Sequence, residues 1–263
     1  METIFLPNKI EFKRGDKADQ GILIIEPLFH GYGTTVGNAL RRVLLSSLTG
    51  AAVTAVKIKG VQHEFSAVNG VLEDVLEIVL NLKLLRLKLF TDEPVVLKLV
   101  KKGEGEVLAK DIKKDSNVEI INKDLKIATI TDKNIEFDME LTVQKGRGFD
   151  TTENRDKENL PVGTIAIDAI YSPIKDVGFK VENTRVGQIT NYDKLILNLE
   201  TDGTLSPEEA ISISAKLLID HFSLLASQFN VIAEANVKTD EEEGEKKAKK
   251  AKTVKKVTKK AKK

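Results

Sequence analysis

The sequence predicts an α+β fold in which antiparallel sheet predominates, and three observations lead to that prediction. Apolar and polar residues alternate along most of the chain before Ser206, as is typical of half-buried strands. Two long segments, around Leu40 and around Leu218, instead carry apolar residues at helical spacing. Hydrophobic residues make up 41% of the 263 positions, which is enough to build a core.

Most of the predicted elements are strands. Ile10, Phe12 and the apolar run 21–25 predict a first pair around the polar turn 14–20. The turn dipeptide Asp202-Gly203 follows the last strand, and the polar stretch 146–159 is expected to be an exposed loop. Further strands are predicted at residues 53–59, 84–89, 95–99, 126–129, 135–144, 178–182 and 194–200.

Two helices are predicted within the first ninety residues. The first follows the glycines at 31–37; Thr34 or Thr35 is expected to cap it, and Gly50 is expected to end it. The second, at 72–82, is short. The apolar residues that follow the helical period are Val36, Leu40, Val43, Leu44 and Leu48 in the first helix and Val75, Ile78, Val79 and Leu82 in the second.

The last predicted helix, residues 206–229, carries more apolar residues than one packing face requires. Ser206 should cap it, with Pro207 at its first position and Glu209 completing a capping box. Such a helix is either deeply buried in its own core or covers both its own sheet and a partner chain, and periodicity alone favours neither. Residues spaced 4, 3, 4, 3, 4 form a heptad seam of Ile211, Ala215, Leu218, Phe222, Leu225 and Phe229.

The net charge of +1 hides an uneven distribution. Residues 237–263 contain 12 Lys and 5 acidic residues, whereas the rest of the chain has 29 basic and 35 acidic residues. We therefore expect residues 233–263 to form a disordered tail, first acidic and then Lys-rich. Lysines in such a tail are candidates for contact with DNA phosphates, and we single out Lys246, Lys249, Lys255 and Lys259.

The composition excludes several kinds of site. There is no Cys, which rules out disulfides, Cys-ligated zinc, iron–sulfur clusters and a thiol nucleophile. The amino terminus has no apolar stretch long enough for a signal peptide or a membrane span, so a soluble cytoplasmic protein without membrane contact is expected.

No motif predicts a catalytic site or a metal site in this chain. Gly31-x-Gly33-x-x-x-Gly37 fits neither the dinucleotide nor the Walker phosphate loop and indicates a tight turn. The three histidines are scattered, and no Gly-x-Ser-x-Gly or His-Glu-x-x-His occurs. The acidic residues Glu64, Glu73, Asp74 and Glu77 are expected to be an ordinary solvated surface.

Ordered motifs along the chain resemble those of the bacterial RNA polymerase alpha subunit. Glu-Pro-Leu is followed by Gly-Tyr-Gly-Thr-Thr-Val-Gly-Asn-Ala-Leu-Arg-Arg, and the later motifs keep the family's order and spacing. The resemblance covers roughly residues 5–232. The matching segments are 26–28, 31–47, 60–61, 63–66, 73–78, 143–148, 168–173, 200–204 and 207–210.

The resemblance implies an assembly scaffold of a nucleotidyltransferase, with no cofactor in this chain. Two copies would pair through the first and last helices and recruit the beta and beta-prime subunits, which hold the catalytic magnesium; omega and sigma complete the holoenzyme. The dimerisation subdomain would comprise residues 1–50 and 168–232, and the inserted mainly-β subdomain residues 51–167. The implied dimer interface is Leu40, Leu44, Ile211, Ala215, Leu218, Phe222 and Leu225.

The resemblance also assigns contacts to individual residues. Arg42 matches a helix arginine that contacts beta, and the stretch 64–73, with Glu64, Phe65 and Glu73, matches a second beta-facing segment. Residues 174–184 and 191–203 match the region that faces beta-prime. The residues implied there are Lys175, Lys180, Asn191 and Lys194.

One departure from the family and two alternative functions belong to the same interpretation. The family usually continues into a helical carboxy-terminal domain that binds upstream DNA, whereas residues 233–263 are too few and too polar for one, so sequence-specific upstream contact through such a domain is not expected here. A free-standing dimer that binds nucleic acid through its basic tail is the first alternative. A hydrolase on the same scaffold is the second, and the missing catalytic motifs argue against it.

Overall fold

The computed structural model describes residues 4–155, 161–186 and 189–229, and it confirms an α+β fold built mainly from antiparallel sheet. The helices of this part are α1 (Tyr32–Ser46), α2 (Val75–Lys83) and α3 (Pro207–Phe229). Its first strands are β1 (Lys9–Arg14), β2 (Gln20–Leu28), β3 (Thr49–Ile58), β4 (Leu87–Leu89), β5 (Val95–Lys102), β6 (Gly105–Leu108) and β7 (Val118–Ile120). The later strands are β8 (Lys126–Ile130), β9 (Glu136–Arg147), β10 (Phe149–Asp150), β11 (Thr164–Ala166), β12 (Ala169–Ile170), β13 (Ile174–Val186) and β14 (Ile189–Thr201).

A four-stranded antiparallel sheet in the order β1-β2-β14-β13 joins segments that are far apart in the sequence. Helix α1 packs on one face of it, and two glycines let the helix come close. A Cβ on Gly37 would lie 2.7 Å from the Phe179 ring and 2.8 Å from a Leu195 methyl carbon. The buried stripe continues through Leu40 and Leu44, so this face of α1 is fully used within the chain.

The middle of the chain builds a six-stranded sheet in the order β5-β9-β3-β4-β7, with β11 paired beside β3. Strands β6 and β8 form a separate pair, and α2 contributes one apolar face to the same core. The tightest part of this core has side chains that are at most 2% exposed, among them Leu99, Ile127, Phe137, Met139 and Leu141. Buried residues alternate with partly buried ones along most of β9, which agrees with the sequence pattern that predicted it.

The structure corrects several predicted boundaries. Neither Thr34 nor Thr35 caps α1, because the helix already begins at Tyr32 after Gly31, which has φ +83°. The helix ends at Ser46, and Gly50 lies inside β3. The segment 146–159 is not simply a loop, since β9 extends to Arg147 and β10 and a short 3₁₀ turn follow; residues 156–160 lie outside the described part.

Two further predictions were too long. Only Leu87–Leu89 of the predicted strand 84–89 is extended, and α2 begins after its cap Asp74 rather than at residue 72. Strands β6, β7, β10, β11 and β12 were not predicted.

The predicted start of α3 is confirmed. The Glu209 amide donates to Ser206 Oγ and the Ser206 amide donates to Glu209 Oε2, both at 3.3 Å, which is a reciprocal capping box. Helix α3 begins in the first of the chain's two units, Met1–Ser214, and continues beyond it.

Candidate functional site

The amino-terminal end of α1 is held by a carboxylate from the other end of the chain. Asp193 on β14 accepts hydrogen bonds from the backbone amides of Gly31 at 2.9 Å and Gly33 at 3.0 Å through the same oxygen. Its side chain is buried, and α1 has no side-chain cap of its own. Because the first amides of a helix lack partners within the helix and carry its positive dipole end, a buried carboxylate there both satisfies and orients the helix.

The outer face of α1 carries the arginine that the sequence singled out. Arg41 and Arg42 are both exposed, and Arg41 Nε donates to the Val177 carbonyl at 3.3 Å. Among the described residues, the Arg42 guanidinium has no hydrogen bond or ion pair. Tyr32 and Leu45 are also exposed on this helix. The Arg42 side chain therefore lies at the surface of α1.

Leu40 and Leu44 are not at the surface. Leu44 is 0% exposed and Leu40 is 7% exposed, and both lie on the buried stripe of α1. The helical period that suggested an interface is the same period that packs a helix on its own sheet. We therefore remove these two leucines from the predicted dimer interface.

The second predicted contact segment divides into exposed and buried parts. Glu64 is exposed and Phe65 is 80% exposed, which suits a contact surface. Glu73, by contrast, is 4% exposed: its carboxylate accepts bonds from the Thr129 amide at 2.6 Å and hydroxyl at 2.8 Å and pairs with Lys126 at 3.0 Å. Glu73 therefore ties the start of α2 to β8 and does not belong to the contact surface.

The pKa of Glu73 reflects this environment. Burial acts to raise the pKa of the carboxyl group, but the bonds that Lys126 and Thr129 make to the charged form outweigh burial, and the net pKa is lowered. Glu73 is therefore charged at neutral pH and stabilises the fold in that form.

The four residues predicted to face beta-prime all lie on the β13–β14 pair. Lys180 and Lys194 point to the sheet face opposite α1, because their neighbours Val181 and Leu195 lie under the helix. Both are already paired: Lys180 with Glu182 at 2.8 Å, and Lys194 with Glu26 at 3.1 Å. Lys175 pairs with Asp19 and Glu200, and Asn191 is exposed.

The apolar seam of α3 is exposed toward its carboxy-terminal end. Ile211, Ala215 and Leu218 are half-buried, whereas Phe222 is 62% exposed and Leu225 is 54% exposed. By length and composition alone, α3 is long and apolar enough to cross a membrane. An apolar surface of this kind on a helix indicates a site that something else covers.

Some predicted features lie outside these surfaces. The tail lysines Lys246, Lys249, Lys255 and Lys259 lie outside the described residues. Within residues 4–155, 161–186 and 189–229, no group of three or more His, Asp or Glu side chains is placed to hold a metal ion.

Comparison with known proteins identifies the kind of chain that carries these surfaces. Residues 56–172 match the family described as the RNA polymerase Rpb3/RpoA insert domain. Two curated relatives, the DNA-directed RNA polymerase subunits alpha of Clostridium botulinum strains Eklund 17B and Alaska E43, are each 53% identical over 226 residues. The alignment covers 86% of this chain and 71% of each relative. The chain belongs to the family of bacterial DNA-directed RNA polymerase alpha subunits.

Sequence reasoning missed Asp193, although one signal pointed to it. The sequence offered Thr34 or Thr35 as the cap of α1, and only the structure shows that the helix has no side-chain cap of its own. In β14 the inward positions are Leu195, Leu197 and Leu199, and Asp193 continues that alternation as a charged residue where an apolar one is expected. A buried carboxylate needs hydrogen-bond donors, and the first amides of an uncapped helix need an acceptor, so each satisfies the other.

We expect Asp193→Ala to lower the free energy of unfolding by about 1–3 kcal/mol, because the buried Gly33 amide and the partly buried Gly31 amide lose their acceptor. Asp193→Asn retains an acceptor oxygen and should lie between Ala and the wild type. Urea denaturation of the three proteins measures the difference. A wild-type midpoint for Asp193→Ala would show that the cap contributes nothing to stability.

We expect the stability that Glu73 contributes to disappear in acid. Its folded-state pKa is lowered, so the contribution is present above the ordinary glutamate pKa and is lost as pH falls through the lowered value. The free energy of unfolding of the wild type and of Glu73→Gln should therefore converge as pH falls, and urea titrations at a series of pH values measure this. Other carboxylates cancel in the difference, so a gap that stays constant with pH contradicts the assignment.

Proposed function

We propose that the chain is the assembly subunit of DNA-directed RNA polymerase. It forms a homodimer and recruits the beta and beta-prime subunits for DNA-templated RNA synthesis in the cytoplasm. It supplies no catalytic residues, and the catalytic magnesium belongs to the partner subunits. The exposed seam of α3 carries this proposal, because a scaffold needs an apolar surface that its own chain leaves open.

The dimer is proposed to form through α3 together with α1. Phe222, Leu225 and Phe229 expose more than half of their side-chain surface, and burying such side chains is the main source of stability in homodimers. On α1 the exposed Leu45 replaces the buried Leu40 and Leu44 as the candidate. Length and composition alone also allow α3 to span a membrane. The relatives named above are polymerase subunits, so we favour the dimer as the explanation of its apolar surface.

Contact with beta is proposed through Arg42, Glu64 and Phe65. An exposed arginine without a partner in the described residues can pair bidentately with a carboxylate, and an exposed Phe supplies apolar area. Contact with beta-prime is proposed through the β13–β14 pair, where Lys175, Lys180, Asn191 and Lys194 lie.

Residues 1–50 with 168–232 are proposed as the dimerisation subdomain and 51–167 as the insert. DNA contact by the tail stays a prediction.

No observation favours the alternative functions. Residues 1–236 carry 35 acidic and 29 basic residues, which disfavours nucleic-acid binding by this part of the chain. A free-standing dimer would purify alone, whereas an assembly subunit should bring down two large polymerase subunits. Co-purification on a tagged copy distinguishes the two.

We expect the double substitution Leu218→Glu and Phe222→Glu to abolish the dimer. Two carboxylates buried without partners at the interface cost on the order of several kcal/mol. Sedimentation equilibrium measures the dimer, and circular dichroism checks the fold. The matched control is Ser212→Glu with Ser223→Glu, which adds the same charge on the polar side of α3 and should leave the dimer intact. An unchanged dimer affinity in the Leu218/Phe222 variant refutes the interface.

We expect Arg42→Ala to leave the dimer intact and to weaken beta binding by about 2 kcal/mol or more, roughly thirtyfold, as for an interface arginine. Titration of the beta subunit onto the dimer measures this. Arg41→Ala is the control, since neighbouring helix positions point about 100° apart and Arg41 already bonds to Val177. Equal beta affinity of both variants removes Arg42 from the surface, and a loss of dimer in Arg42→Ala makes it structural.

A further inference from the structure

Strand β13 forms one edge of the four-stranded sheet. It pairs with β14 on one side, and no strand in the described part of the chain pairs with its other side. Between register shifts near its two ends, residues 176–184 pair with β14 without interruption. At about 3.3 Å per residue this is a regular edge of about 30 Å.

Two independent contacts show which backbone groups of β13 point outward. The Thr201 amide donates to the Asp19 carbonyl at 2.8 Å, so Thr201 is directed toward the β2 side. The backbone N–H and C=O groups of successive residues point to opposite sides of a strand, so the even-numbered residues of β14 bond to β13. Their partners there are Asp176, Gly178, Lys180 and Glu182. The residues that point outward are therefore Val177, Phe179, Val181 and Asn183. The bond from Arg41 to the Val177 carbonyl agrees with this assignment.

Three of these positions keep their backbone groups open. The outward carbonyl of Val177 accepts the bond from Arg41. Within the described residues, no hydrogen bond reaches the outward amide or carbonyl of Phe179, Val181 or Asn183. The edge thus presents three donors and three acceptors in alternation. An isolated edge of this length is a template for another strand unless it is covered.

The side chains along the edge define what could cover it. Phe179 and Val181 lie against α1, next to Gly37 and Gly33, yet both are only half-buried because the sheet stops beside them. Lys180 and Glu182 on the opposite face pair with each other at 2.8 Å. A strand added here would meet an apolar strip on the α1 side and a charged strip on the other.

We propose that the outer edge of β13 is a docking site for an extended segment of a partner polypeptide, which adds as a fifth strand. Only an extended peptide backbone offers acceptors and donors at the repeat of this edge. The segment has apolar residues at alternate positions, which cover Phe179 and Val181. This inference rests on the proposed function, under which β13 belongs to the surface that meets beta-prime, and the segment then belongs to that subunit.

Hydrogen exchange at single-amide resolution tests the docking site directly on the wild-type chain. The isolated homodimer is compared with the complex assembled with both large subunits, using mass spectrometry with fragmentation. The amides of Phe179, Val181 and Asn183 should exchange freely in the homodimer and at least about tenfold more slowly in the complex. Those of Gly178, Lys180 and Glu182 should be slow in both states, because they bond to β14.

A backbone substitution gives a second test. Asn183→Pro removes one outward amide without removing a bond to β14, and proline is tolerated at such edge positions. Asn183→Ala keeps the amide and is the matched control. We expect Asn183→Pro to bind the partner roughly three- to tenfold more weakly than Asn183→Ala, the effect of one backbone hydrogen bond. Melting curves and the dimer state verify that both variants fold.

Each outcome decides the proposal. Free exchange of the outward amides in the complex refutes the edge, and so does equal affinity of the two variants at residue 183. Slow exchange already in the homodimer shows that a second copy covers the edge, which also refutes it. A chain that binds neither large subunit refutes the proposed function itself, and the exchange experiment distinguishes this from an assembled complex with an open edge.

Discussion

The bond between Asp193 and the start of α1 is the contact on which the surfaces proposed to meet the partner subunits depend. It joins residues 162 positions apart in the chain, and it fixes the direction of the helix that carries Arg42 relative to the strand pair that carries Lys180 and Lys194. Gly33 is part of the same constraint, since a Cβ there would lie 3.0 Å from the Asp193 carboxylate. The helix, the glycines and the aspartate therefore form one unit, and changing any of them moves the others.

Under the proposed function, each copy in the homodimer carries both partner-facing surfaces. A dimer with twofold symmetry presents each surface twice, whereas beta and beta-prime differ. Each copy then uses one surface for a large subunit and leaves the equivalent of the other unfilled. Because Asp193 fixes α1 to β14 within one chain, the spacing between the two surfaces is set before either partner arrives.

The sequence predicted best what depends on neighbours within a few residues. The capping box of Ser206 and Glu209 spans three positions, and the alternation along β9 extends through one strand, so both could be identified without the fold. The ends of α1 and the role of Asp193 could not, because they depend on residues far away in the chain. Leu40 and Glu73 show a related limit. Periodicity and charge indicate that a residue makes contacts, and only the fold shows whether those contacts lie within its own chain or with a partner.

The order of strands in the four-stranded sheet has a consequence for how the chain is made. Strands β1 and β2 leave the ribosome early, but β2 pairs with β14, which follows only after the whole six-stranded sheet has been synthesised. Until then the apolar stripe of α1 has no sheet to cover it, while the middle of the chain already has all the strands of its own core. During translation the six-stranded sheet is therefore complete first. It then separates β1, β2 and α1 from β13 and β14, which pair with them only later. The loop-closure cost of that late pairing grows only slowly with the length of chain between them, which is why so large an insertion can be tolerated there.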